Sequence, residues 1–204
     1  MKFVSNVEEL RQAYGAPHDV SLRKEMRFLD RHARNFIANC PFVLIGSSDK
    51  EGNGDVTPKG DRPGFVAVLD DTTIAIPDRP GNNRLDTLEN VIRNPAVGLI
   101  FLVPGMNETL RINGLAKITF DEALRERLAV DGKAPRSVMV VSIKAVYMHC
   151  AKAFLRSRLW NPEGWLPRSA MPTLGEILKD QLSLPETANE ADSRLEDSYL
   201  KSMW

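Results

Sequence analysis

The sequence predicts an α+β fold that is mainly β: a six-stranded antiparallel barrel with peripheral helices. Three observations predict it. Between Phe42 and Cys150, short apolar runs alternate with turn residues at the spacing of hairpins. One helix-periodic segment, Arg84 to Arg93, interrupts them. The run Ala96 to Val103 is apolar on both faces, as a central strand is. Strands joined mostly by turns are antiparallel neighbours, so the helices are left to the outside.

Each element has its own local reason. Ser5-Asn-Val-Glu8 has the form of a capping box and Gly15 supplies a stop, giving a short first helix. From Val20 to Asn39, Leu22, Met26, Leu29, Ala33, Phe36 and Ile37 recur at helical spacing, which predicts one helix lying on the sheet. Phe42 to Ser47 is a strand closed by the turn Asp49 to Gly54, and Asp55 to Lys59 returns as a second strand. Pro58 within it implies an edge or a bulge. Phe65 to Leu69 and Thr73 to Ile76 form a hairpin about Asp70-Asp71. In the helix Arg84 to Arg93, Leu85, Leu88 and Ile92 make one apolar face, and Pro95 ends it. Glu108 to Phe120 is a long strand whose Gly114 marks a bend. Asp121 to Val130 reads as a surface helix and Val138 to Cys150 as the last long strand. Thr173-Leu-Gly-Glu176 opens a capped helix ending near Leu182, and the acid-rich tail from Pro185 is expected to be loosely ordered.

Composition narrows the function classes. Lys plus Arg and Asp plus Glu number 27 each in 204 residues, so the formal net charge is zero. That balance argues against a nucleic-acid binder. Two cysteines, Cys40 and Cys150, without a CxxC pair, indicate neither a disulfide framework nor a zinc site. His18, His32 and His149 are too scattered for a metal cluster. The longest apolar run falls far short of a membrane span, and the N-terminus lacks the apolar core of a signal peptide. A cytoplasmic protein without a membrane partner is expected. Residues 1–40 read as a helical extension, 41–165 as the barrel and 166–204 as a C-terminal helix and tail, within one domain overall.

The most specific feature is Asp55-Val-Thr-Pro-Lys-Gly60 together with Pro77-Asp-Arg-Pro-Gly-Asn-Asn-Arg84. These runs set Lys59, Arg79 and Arg84, with glycines and asparagines, around one strand-to-helix turn. Backbone amides at a helix start carry the positive end of the helix dipole, so the turn suits an anion. Phosphate on a cofactor is the natural candidate. Lys59 and Arg84 are either solvated charges or phosphate contacts, and their company of Gly, Pro and Asn favours the second reading. Arg79 either joins them, points to water or braces Asp78. Asn83 is read as the N-cap of the helix, a role compatible with phosphate binding.

Several adjoining blocks, in order, carry a family resemblance: FVLIGSSDKEGNGDVTPKGDRPGF (42–65), IAIPDRPGNNRLDTLENVIRNPAVGLIFLVPG (74–105), ETLRINGLA (108–116) and HCAKAFLRSRLW (149–160). Over roughly residues 20–165 the chain resembles the flavin-binding split barrels of the pyridoxamine 5′-phosphate oxidase superfamily, and most closely a subgroup of probable FMN-dependent bacterial enzymes. The resemblance implies a split β-barrel and FMN held at a homodimer interface. Asp55, Val56, Thr57, Pro58 and Lys59 correspond to the strand that contacts the phosphate. Asn82, Asn83 and Arg84 match the family's Ser-Arg-Lys turn. Ile76, Pro77 and Asp78 match the strand end beside the polar edge of the flavin. Arg111 lies on the strand that reaches toward the other subunit's cofactor. The arginine opening the family's phosphate pattern falls at Gly54, so Arg79 or Arg84 is expected to supply the lost charge. The C-terminal Arg–His segment that recognises pyridoxal phosphate is missing, so the resemblance points to FMN binding and away from pyridoxamine phosphate oxidation.

Other residues remain open between two roles. Arg111, between Leu110 and Ile112, is either an outward solvated charge or a cation tuning the flavin. Trp160 and Trp165 either roof an aromatic ring or pack the barrel end. His149 and Cys150 read as a hydrogen-bonded histidine and a buried thiol. Lys152, Arg156 and Arg158 cluster on a helical turn that suits an anionic substrate or a partner's acidic tail. The expected function is an FMN-dependent oxidoreductase acting on a small molecule as a homodimer. The alternatives are a flavin carrier without catalysis, or a protein of the same fold using a deazaflavin or haem.

Overall fold

The computed structural model describes residues 1–203. Seven strands build one antiparallel sheet: β1 (Phe42–Ser48), β2 (Gly54–Gly60), β3 (Ala67–Val68), β4 (Thr73–Asp78), β5 (Ala96–Leu102), β6 (Thr109–Thr119) and β7 (Ser137–His149). Their order across the sheet is β2-β1-β5-β6-β7-β4-β3. The helices are α1 (Val7–Tyr14), α2 (Asp19–Arg23), α3 (Arg31–Ala38), α4 (Asp86–Arg93), α5 (Glu122–Arg127), α6 (Lys152–Ser157), α7 (Leu174–Leu182) and α8 (Ala188–Ser202).

The six-stranded barrel is corrected on two counts. All the strands read one by one are present, which makes seven, with the arm at Phe65–Leu69 shortened to the two-residue β3, and the sheet is not closed. Its edges are β2, whose Pro58 has no N–H to offer a further strand, and the very short β3. β5 is interior as expected, between β1 and β6, with Val97, Leu99 and Phe101 buried at alternate positions. Gly114 sits at a bulge in the β6–β7 ladder. A Cβ there would lie 2.5 Å from the Ser142 carbonyl oxygen, so only glycine allows the strands this close.

One face of the sheet is covered by α3, through Ala33, Phe36 and Ile37, which join Val43, Ile45, Phe101, Ile112 and Val146 in the core. Each large apolar side chain buried here contributes about 1.5–3 kcal/mol. The helix expected over Val20–Asn39 is broken in two. β4 pairs with β7 only as far as Ser142, which leaves the outer backbone groups of Val146 without a strand partner. Met26 supplies it: its N–H donates to Val146 O at 3.0 Å, and its own O accepts from Val146 N at 2.8 Å. The helix restarts only at Asp30, whose carboxylate accepts from Ala33 N.

Three smaller expectations also shift. The first helix is capped by Asn6, accepting from Glu9 N, rather than by Ser5, while Gly15 ends it at φ 71° as expected. The tail from Pro185 is not loose: Thr187 and Glu190 form a capping box that opens the fifteen-residue α8. Ala191 of α8 is fully buried against α7, where Gly175 N donates to Asp192 Oδ1. Cys150 is exposed rather than buried, while Cys40 is buried, and burial pushes its thiol pKa up. No helix among the described residues is long and apolar enough to cross a membrane.

Candidate functional site

β2 and the end of β4 meet beside the loop 79–85, with α4 beyond it. Along β2, Asp55, Thr57 and Lys59 are half-buried while Val56 and Pro58 are exposed, the alternation of an edge strand with one face inward. A cleft of about 740 Å³ opens there, lined by β2, residues 78–89 and the start of β7. Its size is that of a cofactor or drug-sized ligand site.

Most cations of this cleft already have carboxylate partners. Lys59 Nζ lies 2.7 Å from Asp78 Oδ1, and both side chains are at least three-quarters covered. Arg79 Nε donates to Asp61 Oδ2 at 2.7 Å and its Nη2 to Leu128 O. The Asp61 side chain is 0% exposed, so Arg79 braces the loop from behind. This corrects the partner expected for it, since Asp78 belongs to Lys59. Arg84 Nε donates to Asp86 Oδ2 at 2.7 Å, but its side chain remains 78% exposed. Asn82 Oδ1 accepts from Arg84 N, a local turn that fixes the loop.

Asn83 is not the N-cap. It takes a left-handed conformation, φ 59°, and its Oδ1 accepts from Arg136 Nη1 at 2.8 Å. Leu85, also left-handed at φ 61°, holds the cap position without a side-chain hydrogen bond. The apolar face read for α4 is divided: Leu88 packs against the core, and the rest of that face does not. Leu85 and Ile92 are 48% and 76% exposed, whereas Thr87, Asn90 and Val91 are buried. Polar rungs dock the helix: Thr87 Oγ1 donates to Asp55 Oδ2 at 2.8 Å, Asn90 Nδ2 to Ser47 Oγ at 3.1 Å, and Asn94 Nδ2 to Ser48 Oγ at 3.0 Å. Exposed Leu85 and Ile92, with partly buried Leu88, line the cleft together with Ile118 and Phe120.

The structure thus brings Asp55, Val56, Thr57, Lys59, Asp78, Arg79, Asn82, Asn83 and Arg84 around one cleft. Ile76 and Pro77 are buried in the sheet behind it, and Pro58 points away. Arg111 does not line the cleft: it pairs with Ile100 of β5 and Tyr147 of β7 and lies 5.4 Å from the Tyr147 ring centroid. Lys24 approaches the same ring at 5.7 Å and donates to Met148 O. His149 beside them is held below its ordinary pKa by desolvation and by the charges of Arg111 and Lys24. Trp160 is outside the cleft as well, stacked 5.9 Å from Phe154 with Nε1 donating to Met106 O. Trp165 donates to Leu159 O and is 60% exposed. Lys152 and Arg156 stand on α6 and Arg158 caps it.

Sequence reasoning missed Arg136 and the apolar lining. Arg136 precedes β7, and the β4–β7 pairing that sets Ser137 opposite Asp78 joins residues too distant along the chain for local signals to reveal.

The family model of pyridoxamine 5′-phosphate oxidase matches residues 29–150, more than half of the chain. The chain belongs to the pyridoxamine 5′-phosphate oxidase family. The match runs from Leu29 through β1–β7 and so contains the whole cleft. No curated protein matches the sequence. Among solved structures, the tagged HupZ of Group A Streptococcus is 16% identical, covering 59% of this chain and 93% of that one at a TM-score of 0.48. An FMN-binding protein from Syntrophomonas wolfei subsp. wolfei is 14% identical, covering 71% and 97% at 0.48. An F420 reductase is 17% identical, covering 58% and 98% at 0.44. Likenesses of this order assign no ligand to the chain.

Proposed function

We propose that this member of the pyridoxamine 5′-phosphate oxidase family is an FMN-dependent oxidoreductase that acts on a small molecule as a homodimer. The observation that supports it best is the cleft itself: about 740 Å³, with Lys59, Arg84 and Asn82 at one turn and apolar side chains of α4 and β6 beside them. That pairing of an anion-seeking turn with an apolar wall suits a flat ring carrying a phosphate tail. Lys59, Arg84 and the asparagines of the loop would hold the phosphate, and the end of β4 at Asp78 would face the polar edge of the ring. Bound FMN would supply two-electron transfer. The protein's part is to bind and orient the ring and keep water from it, so no side chain is assigned a catalytic role.

The apolar residues Leu85, Ile92 and Phe120, exposed at the cleft rim, support a second copy covering the site. In such a pair Arg111 would approach the partner's cofactor. A flavin carrier remains the second reading, because this reading assigns no acid–base group.

The purified protein is expected to be yellow with flavin absorbance, to release FMN on denaturation, and to turn over reduced nicotinamide with a general electron acceptor. A Soret band, or release of a deazaflavin, would contradict the cofactor. Bound FMN with no turnover would leave a carrier.

A further inference from the structure

We propose that Arg136 is the residue that reads the phosphate charge in the cleft, and hence the residue that makes the site select a phosphate monoester over its unphosphorylated parent. The proposal rests on the FMN reading and adds to it a residue outside both runs that define the cleft in sequence.

It follows from where each charge in the cleft is already committed. A phosphate monoester brings between one and two negative charges near neutral pH. Lys59 shares its charge with Asp78, Arg84 with Asp86, and Arg79 with the fully covered Asp61. Of the other carboxylates at the cleft, Asp55 accepts from the Thr87 hydroxyl and Glu89 is paired with Arg93. The three arginine and lysine ion pairs cancel in net charge, and an entering anion must compete with Asp78 and Asp86 for Lys59 and Arg84. Arg136 differs. Its Nη1 donates to the neutral amide oxygen of Asn83, and its backbone N–H donates to Asp78 O at 3.3 Å. Among the described residues it is the one cation lining the cleft that no carboxylate meets.

Its setting also suits the task. The bond to Asn83 aims the guanidinium at the loop 82–85 and occupies one of its five N–H donors, leaving others of the planar fork for an oxyanion. Arg136 is exposed toward the cleft and anchored next to buried Ser137, so its base is fixed by the β4–β7 ladder while its head stays hydrated.

The test is titration of the cofactor-stripped full chain with FMN and with riboflavin. The wild type is expected to prefer FMN strongly, Arg136→Gln to lose ten- to a hundred-fold in FMN affinity with riboflavin unchanged, and Arg136→Lys to recover much of the loss. A wild type that binds both equally would overturn the phosphate reading itself, and this inference with it. A strong wild-type preference kept intact by Arg136→Gln would overturn this inference alone. So would an equal loss toward both ligands, or a lysine variant as weak as glutamine, since each makes Arg136 a brace for the loop rather than a charge reader.

Discussion

Lys59 Nζ sits 2.7 Å from Asp78 Oδ1 and ties the edge strand β2 to the end of β4 at the mouth of the cleft. The contact both builds the site and competes with any anion for the lysine. Lys59→Ala should weaken FMN binding by about 1.5–3 kcal/mol, one to two decades, and leave riboflavin nearly unaffected. Asp78→Asn should act in the opposite direction on FMN by releasing the lysine. Fluorescence titration of both variants checks this, and the same direction of change for both would refute the competition.

Gly114 permits the close β6–β7 approach, because a Cβ would lie 2.5 Å from Ser142 O and 2.7 Å from a Val141 methyl. Gly114→Ala should therefore cost about 1–3 kcal/mol of stability as the strands are pushed apart. Denaturant unfolding measures it. A neutral effect would mean the bulge yields without strain.

These two sites show what the sequence made legible. Pro58 marked an edge strand, Gly114 a bend, and Gly15 and Thr173 helix ends, since each acts through its own backbone or its nearest turn. Long-range partners hid the rest. Nothing local announces that Met26 leaves its helix to pair with Val146, or that Asp55 and Ser47 draw the polar face of α4 inward. The capping box of Thr187 and Glu190 was local, but acid-rich composition masked it. Arg136 had no motif of its own and became visible only once β7 lay beside β4.

The exposed apolar rim predicts association. Ile92, 76% exposed on α4, should be covered in a homodimer. Sedimentation of the wild type at micromolar concentration should show a dimer, and Ile92→Glu should shift it toward monomer while circular dichroism stays unchanged. A monomeric wild type that still binds FMN tightly would contradict the dimer.

At the end of β7, desolvation comes first and the charges of Arg111 and Lys24 second in lowering the pKa of His149. Between its depressed value and about 6.5, the unfolded chain binds more protons there than the folded one. This contribution to stability is therefore complete above about pH 6.5 and is lost as pH falls through the folded value. Arg111→Met should raise the His149 pKa and soften the acid loss, as read by an NMR titration. In the flavin-loaded dimer the same variant should lower the flavin potential by tens of millivolts, about 30 mV for each 1.4 kcal/mol of lost charge stabilisation. An unmoved His149 together with an unmoved potential would leave Arg111 as a solvated surface charge.

The claim that the cleft is a phosphate-anchored flavin site stands most directly on one comparison: the affinity of the stripped protein for FMN against riboflavin, measured by isothermal titration in the same buffer. FMN is predicted to bind at least a hundred-fold more tightly, the expected return of two charge-assisted contacts to its phosphate. Equal affinity for the two, or no binding of either, would contradict it.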